Sequence, residues 1–370
     1  MEFTVSKVDL VRELNLSQGV VEKKTTIPIL SNVLVEAAGD RIVLTATDLE
    51  LGIRCSCPAR VQKPGAGTIP ARRLLDYARL LPDADVSVKL QENHWVALLC
   101  GRSRTRIAGM SRDSFPELPQ MPEVLAKIPV KALASMIAKT IFAISAEESR
   151  FTLNGALLVL KNNGLAMVAT DGHRLSMVET TGDVPGVTAA YRALLPRKAM
   201  SEILKLAQDA SDEASIQFSG DENHLFFQLG ERLLLSRKLT GNFPDFERVL
   251  PKDHPHEVRV PRDEFKAAIE RVSQFSDERS RAIRMQVCAG EVKVHSSQSE
   301  TGESEESLLV DYDGAQVEIG FNAQYMLDFL RVVESEQVLF RFKDAHSAGE
   351  LRPAGDTGYG YRYVIMPMRI

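Results

Sequence analysis

Apolar residues recur along the chain with two alternating periods. After the strings VSKVDL (5–10), IPVKAL (128–133) and VPRDEF (260–265) they fall at helical spacing, as Leu133, Met136 and Ile137 in the second case and Phe265, Ala268, Ile269 and Val272 in the third. Each predicted helix leads into a pair of alternating stretches joined by a Gly-containing turn: NVLVEAAGDRIVLTATDLE, GALLVLKNNGLAMVATDGH and IRMQVCAGEVKVHSSQ. That is the pattern of a β-hairpin. A second helix then follows, opened by Pro in PARRLLDYARLL and PRKAMSEILKLA, with NAQYMLDFLRVV as the third version. Further alternating segments complete each stretch, for example SVKLQENHWVALLC, SIQFSGDENHLFFQLGERLLLSRKL and QVLFRFKD.

These strings repeat at a nearly fixed distance. Pro70 and Pro196 lie 126 residues apart, as do Pro196 and Asn322, and the Thr-Asp pairs at 47–48 and 170–171 are 123 apart. A period of this length marks related structural units. The expected fold is α+β, with three similar modules at 1–124, 125–253 and 254–370, each carrying two helices packed on antiparallel sheets of about eight strands. Two modules close with matching Phe-Pro loops, SFPELP (114–119) and NFPDFERVLP (242–251), and Pro- and charge-rich linkers fall near Gln120 to Lys127 and Pro251 to His256. Copies alike in pattern but different in residues suggest a shared scaffold rather than three active sites. Such units can join sheet edges to a neighbour, which closes edges that would otherwise invite aggregation.

Composition narrows the class. The chain has 370 residues, 44% apolar and 26% charged, which is ordinary for a folded protein and too long for one hydrophobic core. Its amino-terminal MEFTVSKVDL lacks a signal-peptide apolar core and no run approaches a membrane span, so a cytoplasmic protein without a membrane partner is expected. Cys55, Cys57, Cys100 and Cys288 form no CxxC pair and read as small buried hydrophobes. A formal net charge of −5 argues against nucleic-acid binding over the whole surface, so any DNA contact must come from a local basic face.

Candidate chemistry is sparse. TDGHR (170–174) sets Asp171 two residues before His173, but the corresponding string in the first module is TDLE, without a histidine, and no nucleophile elbow accompanies it. A turn with Asp171 bonding local amides and Gly172 at positive φ is the preferred reading, so no catalytic residue is assigned. GDTGYGYR (355–362) lacks the GxxxxGK[ST] pattern and precedes a strand, so it reads as a hairpin turn. The histidines show no HExxH, and neither a metal nor a cofactor is expected. Basic residues do cluster at the predicted helices: Lys23 and Lys24 follow the first, Arg72, Arg73 and Arg79 mark the second, Lys131 and Lys139 the third, Arg197, Lys198 and Lys205 the fourth, and Arg262, Lys266 and Arg271 the fifth. Without a helix-turn-helix, zinc finger or stacking platform, their contacts would be to phosphates and independent of base sequence. The final VIMPMRI, with methionines flanking Pro367, suits either a packed last strand or a groove that accepts several peptides. Three readings follow: a DNA-encircling scaffold, an enzyme using Asp171 and His173, and an interaction hub unrelated to DNA.

MEFTV, TIPILSNVLVEA, TATDLEL, TIPARRLLD, FTLNGALL, VATDGHRL, LPRKAMSEI, SRKLTGNFPDFERVLP and VIMPMRI, in this order from residue 1 to 370, resemble the bacterial DNA polymerase III beta sliding clamp family. The resemblance implies a non-enzymatic processivity factor. It would be a head-to-tail homodimer closing a ring around duplex DNA, served by a clamp loader and tethering DNA polymerases and other replication or repair proteins. It implies that Lys24, Arg72, Arg73, Arg197 and Lys198 lie near phosphates. It also implies a groove for short peptides carrying a glutamine and hydrophobic anchors, formed by Leu153, Thr170, Gly172, His173, Arg174, Leu175, Pro244, Arg248, Val249, Val364, Met366, Pro367, Met368 and Arg369. At the subunit contact it places Arg102, Arg104 and Ile107 on one edge, and Phe275 with Glu300, Glu303, Glu305 and Glu306 on the other. His346 stands where a small aliphatic residue is usual, and Gln274 and Thr105 are more polar than the family pattern.

Overall fold

The computed structural model describes residues 1–22, 25–182, 184–187, 189–298 and 302–369. Six α-helices occur among them: α1 (Lys7–Val20), α2 (Ala71–Leu80), α3 (Val130–Thr140), α4 (Arg197–Ala207), α5 (Arg262–Val272) and α6 (Ala323–Val332). Two fall in each expected module, and between the members of every pair lies a three-stranded antiparallel meander whose first strand also pairs with the strand that leads into the second helix, so the repeat read from the sequence is a repeat of structure. The second helix of each module begins as its sequence directs. Pro70 and Pro196 immediately precede α2 and α4, where a missing N–H costs nothing. In the third copy Asn322 takes that place, and its side chain accepts from the amides of Gln324 and Tyr325.

The helices bury one face each. In α2, Ala71, Leu74, Leu75 and Ala78 point inward while Arg72, Arg73 and Arg79 are exposed. In α1 the inward face includes a charge, Glu13, which is 1% exposed and accepts from Arg232 at 2.9 and 2.8 Å and from Arg12 at 2.7 Å. Burial opposes its ionisation, but the bonds from Arg232 and Arg12 prevail and hold its pKa below the ordinary glutamate value. Cys55 and Cys57 lie on a strand beside this helix, both buried, and burial pushes the Cys57 thiol up to about 12. Both are inert thiols packed as hydrophobes.

By internal contacts the chain forms two compact units, one of residues 1–134 and 198–238, the other of 135–197 and 239–370. The division runs through α3 and α4, so the central module contributes to both. Each unit is organised on an eight-stranded antiparallel sheet that combines halves of two modules. In the first, strand Arg232–Arg237 pairs with Leu51–Pro58, with Leu234 opposite Ile53. In the second, strand Arg174–Thr181 pairs with Gly360–Ile365, with Leu175 opposite Val364. Two smaller sheets remain, each with an open edge strand. A five-stranded sheet of the first unit ends on Ser103–Ala108, and a four-stranded sheet of the second ends on Gly302–Leu309.

Candidate partner-peptide groove

The site is built on a turn. Thr170 Oγ1 donates to the Arg174 carbonyl at 2.6 Å and accepts from the Gly172 amide at 3.1 Å; Asp171 Oδ1 accepts from the amides of His173 and Arg174 at 2.9 and 3.0 Å. Gly172 sits at φ 90°, a conformation that glycine adopts without a side-chain clash. Asp171 Oδ2 accepts from Arg174 Nε at 3.0 Å, so both carboxylate oxygens serve the turn and the arginine rather than the His173 ring. No acid–base pair is assembled here.

Arg174 is the anchor beneath the turn. It donates to Asp328 at 2.5 Å and to the Phe142 carbonyl at 2.5 Å, and its guanidinium lies 4.3 Å from the Tyr325 ring centroid. Burial opposes the charge, but the Tyr363, Asp328 and Asp171 oxygens outweigh it and raise its pKa beyond the ordinary arginine value. The cation is thereby fixed as a floor element.

Above it lies a cavity of about 130 Å³ lined by Leu153, Thr170, Gly172, Arg174, Leu175, Pro244, Phe246, Val249, Val364 and Met366. Nine of these were expected from the sequence. Phe246 was not, although its place in NFPDFERV, two residues after Pro244, offered a signal; it is buried against Leu157, Leu175 and Val364. His173, Arg248, Pro367, Met368 and Arg369 do not line the cavity. His173, Arg248 and Arg369 are exposed beside its lining residues, and Arg248 pairs with Asp245 at 2.7 Å. The carboxyl-terminal segment is fastened by its backbone: the Met366 amide donates to the His173 carbonyl at 2.9 Å and the Met368 amide to the Gly320 carbonyl at 2.8 Å. Pro367, lacking an N–H, stands between these two bonds and ends the strand. His346 is exposed, in a turn whose Asp344 accepts its amide, and lies outside the cavity lining. GDTGYGYR forms the expected turn, with Gly358 N donating to Asp356 before strand Gly360–Ile365.

The basic helix surface is thinner than the sequence count. Arg72 and Arg73 are exposed on α2, but Lys139 is 2% exposed and paired with Glu334 at 2.8 Å. Lys131 pairs with Asp212, Lys205 with Glu202, Arg262 with Asp263, and Arg271 bidentately with Glu306. Lys198 donates to Asp48 and to the Val20 carbonyl, and Arg197 to the Ile144 carbonyl at 2.9 Å. Lys23 and Lys24 lie outside the described residues, as does Glu300.

On the open edge Ser103–Ala108, Arg104 is exposed, as is Arg102 just before it, whereas Ile107 is 3% exposed in the core of its own unit, so it has backbone rather than side chain to offer a neighbour. Arg106, not singled out in the sequence, lies exposed on the same edge over Trp95. On the edge Gly302–Leu309, Glu303 and Glu305 are exposed, while Glu306 faces inward to Arg271 and Phe275 is half-buried.

Family models match all three modules: the DNA polymerase III beta subunit N-terminal domain at 1–119, central domain at 127–245 and C-terminal domain at 247–369. The chain belongs to the DNA polymerase III beta subunit family. Its function is that of a DNA polymerase processivity factor. The beta sliding clamp of Pseudomonas putida is 36% identical over 377 residues, with both chains fully covered. Among solved structures, the sliding clamp from Pseudomonas aeruginosa bound to griselimycin superposes with TM-score 0.94 at 34% identity over 100% of each chain. The sliding clamp from Bacillus subtilis gives TM-score 0.94 at 28% identity over 100% of this chain and 99% of that one.

Proposed function

We propose that two copies of this chain join head to tail into a closed ring around duplex DNA, and that the groove tethers DNA polymerases and other replication or repair proteins through short peptides. The modules are taken as 1–124, 125–253 and 254–370. One observation carries the ring. Within the chain, the second half of module two pairs with the first half of module one, and the first half of module two with the second half of module three. The second half of module one and the first half of module three are left over, as the two smaller sheets with open edges. By the same rule each would pair with the complementary edge of a second copy, strand 103–108 against strand 302–309, and two such contacts close the assembly. The exposed charges are opposite in sign: Arg102, Arg104 and Arg106 on one edge would meet Glu303 and Glu305 on the other, which favours correct encounter, with Glu300, Glu306, Ile107 and Phe275 completing the contact.

Arg72, Arg73, Arg197, Lys198 and Lys24 would lie near phosphates. On a chain of net charge −5 such contacts are weak and salt-screened, which permits sliding once the ring is closed. The groove would accept a glutamine and hydrophobic anchors, since its lining is apolar around a fixed cation. A clamp loader is the expected further partner, and a cytoplasmic place beside the nucleoid follows from the substrate; among the described residues no helix is long and apolar enough to cross a membrane. A non-enzymatic role accords with the use of Asp171 in its turn. The test is retention on DNA: protein loaded on nicked circles should remain until the circle is linearised and then run off. Equal retention on both forms would contradict topological binding.

A further inference from the structure

One cross-strand row of the second unit joins a charge cluster to the groove floor. Reading across six neighbouring strands it runs Glu257, Arg341, Glu350, Val364, Leu175, Thr170, each opposite the next. Its last three members line the cavity. Its first three are charged, and the one that abuts Val364, Glu350, is 0% exposed.

A carboxylate buried so fully is retained only if its partners are strong. Glu350 has three: Arg362 Nε at 2.5 Å, Arg352 Nη2 at 3.0 Å and Arg341 Nη1 at 3.3 Å, the last also 3.1 Å from Glu257. One further bond and one close approach come from the segment linking the second and third modules. Arg362 Nη2 donates to the Pro251 carbonyl at 3.1 Å, and the His254 ring, 2% exposed, lies with Nε2 3.7 Å from Glu350. Neither ring nitrogen of His254 has a hydrogen-bond partner among the described residues. The same segment, a few residues earlier, supplies Phe246 and Val249 to the groove wall and packs Leu250 on the floor cluster. One short stretch therefore covers the apolar floor with its first half and the buried charges with its second.

We propose that Glu350 is a positioning residue for the groove, holding the wall segment 246–254 against the sheet through Arg362 and His254, and that acid loosens this wall by charging His254. The inference rests on reading the cavity as a peptide groove. A cation arriving on His254 would meet Arg341 of strand Gln337–Phe342, Arg352 of strand Gly349–Pro353 and Arg362 of strand Gly360–Ile365. Glu350 is already shared among those three, while Glu257 of strand His256–Pro261 lies beside Arg341 and Asp253 beside Lys343. Burial, with Arg341, Arg352 and Arg362, outweighs the pull of Glu350 and keeps the His254 pKa below the ordinary value. A free segment binds the proton more readily than the docked one, so docking is at full strength above about pH 6.5 and weakens as pH falls below it.

The experiment uses the full chain and a fluorescent, end-blocked pentapeptide with one glutamine, two leucines and no titratable group. Kd is measured from pH 8 to pH 5.5, alongside backbone hydrogen exchange of 246–254 corrected for intrinsic rates. The expected results are a several-fold rise in Kd and loss of protection in 246–254 on acidification, both flattened in His254→Asn. Glu350→Gln should weaken binding severalfold at pH 8, with partial recovery in Glu350→Asp. The positioning role is overturned if His254→Asn keeps the wild-type pH profile, or if protection of 246–254 is unchanged in both Glu350→Gln and acid. Failure of the peptide to bind at pH 8 sinks the groove reading instead, and the exchange arm then still decides whether Glu350 and His254 hold the segment.

Discussion

The two long sheets are joined by equivalent strands, yet only one join makes an apolar groove. The turns beside the joins match bond for bond. Thr47 Oγ1 donates to the Leu51 carbonyl at 2.9 Å and accepts from the Leu49 amide at 3.0 Å, while Asp48 Oδ1 accepts from the amides of Glu50 and Leu51 at 2.9 and 2.6 Å, as Thr170 and Asp171 do in the other copy. What differs is the third residue and the loop laid over the strands. Leu49 holds φ 78° where Gly172 holds φ 90°. In the first unit the Phe-Pro loop sends Phe115 into a small cluster with Ile29 and Leu30 and lays Leu118 over Gly52. The recess beside it is lined by Glu36, Arg54, Arg112, Asp113 and Glu117 along with Phe115 and Leu118, which would hold water and ions rather than an apolar peptide. In the second unit the matching loop leaves Pro244, Phe246 and Val249 as walls over an apolar floor. A repeated scaffold thus gains an apolar cavity through a few side chains at one of its copies.

Three substitutions break or sharpen this contrast. The largest effect is expected from Glu13→Ala at the first join, which leaves Arg232 and Arg12 without their buried carboxylate and should cost about 3–5 kcal/mol in urea unfolding of the first unit. An unfolding midpoint within error of wild type would show that the pair contributes no net stability. Next, Gly172→Leu places the first unit's residue in the groove. Leu49 shows that leucine can occupy this turn at a cost in backbone strain, and a Cβ at position 172 would press on the tip of Arg150 at 3.0 Å. Peptide affinity should fall about 100-fold, equivalent to about 2.7 kcal/mol, a far larger effect than the stability loss of about 1 kcal/mol that the left-handed backbone imposes on a leucine. Retained affinity would mean that peptides do not pass over this turn. The smallest effect is the converse, Leu49→Gly: the side chain is 50% exposed and its backbone is strained, so calorimetry should find a gain of about 0.5–1 kcal/mol. A loss of that size would mean that Leu49 packs more than its exposure suggests.

The sequence by itself determined the repeat, the helix starts at Pro70 and Pro196 and the hairpins, because these depend on local periodicity, whereas nine of the residues that line the cavity were named only through the family resemblance. It could not give the buried charges. Glu13 interrupts an apolar helix face, and its partner Arg232 is 219 residues away; Lys139 reads as a basic helix residue but is sealed against Glu334, 195 residues away. Glu350 looks like one acid among many, and only the pairing of strands 337–342, 349–353 and 360–365 surrounds it with arginines. Period-two alternation assigns a side chain to a face but not to a neighbour, and burial of a charge is decided by neighbours. The same holds for Ile107, which an edge position made available but the pleat turned into the core. Which strand lies beside which is a property of the assembled sheet, and that is where this protein's charges, and the wall of its cavity, acquire their neighbours.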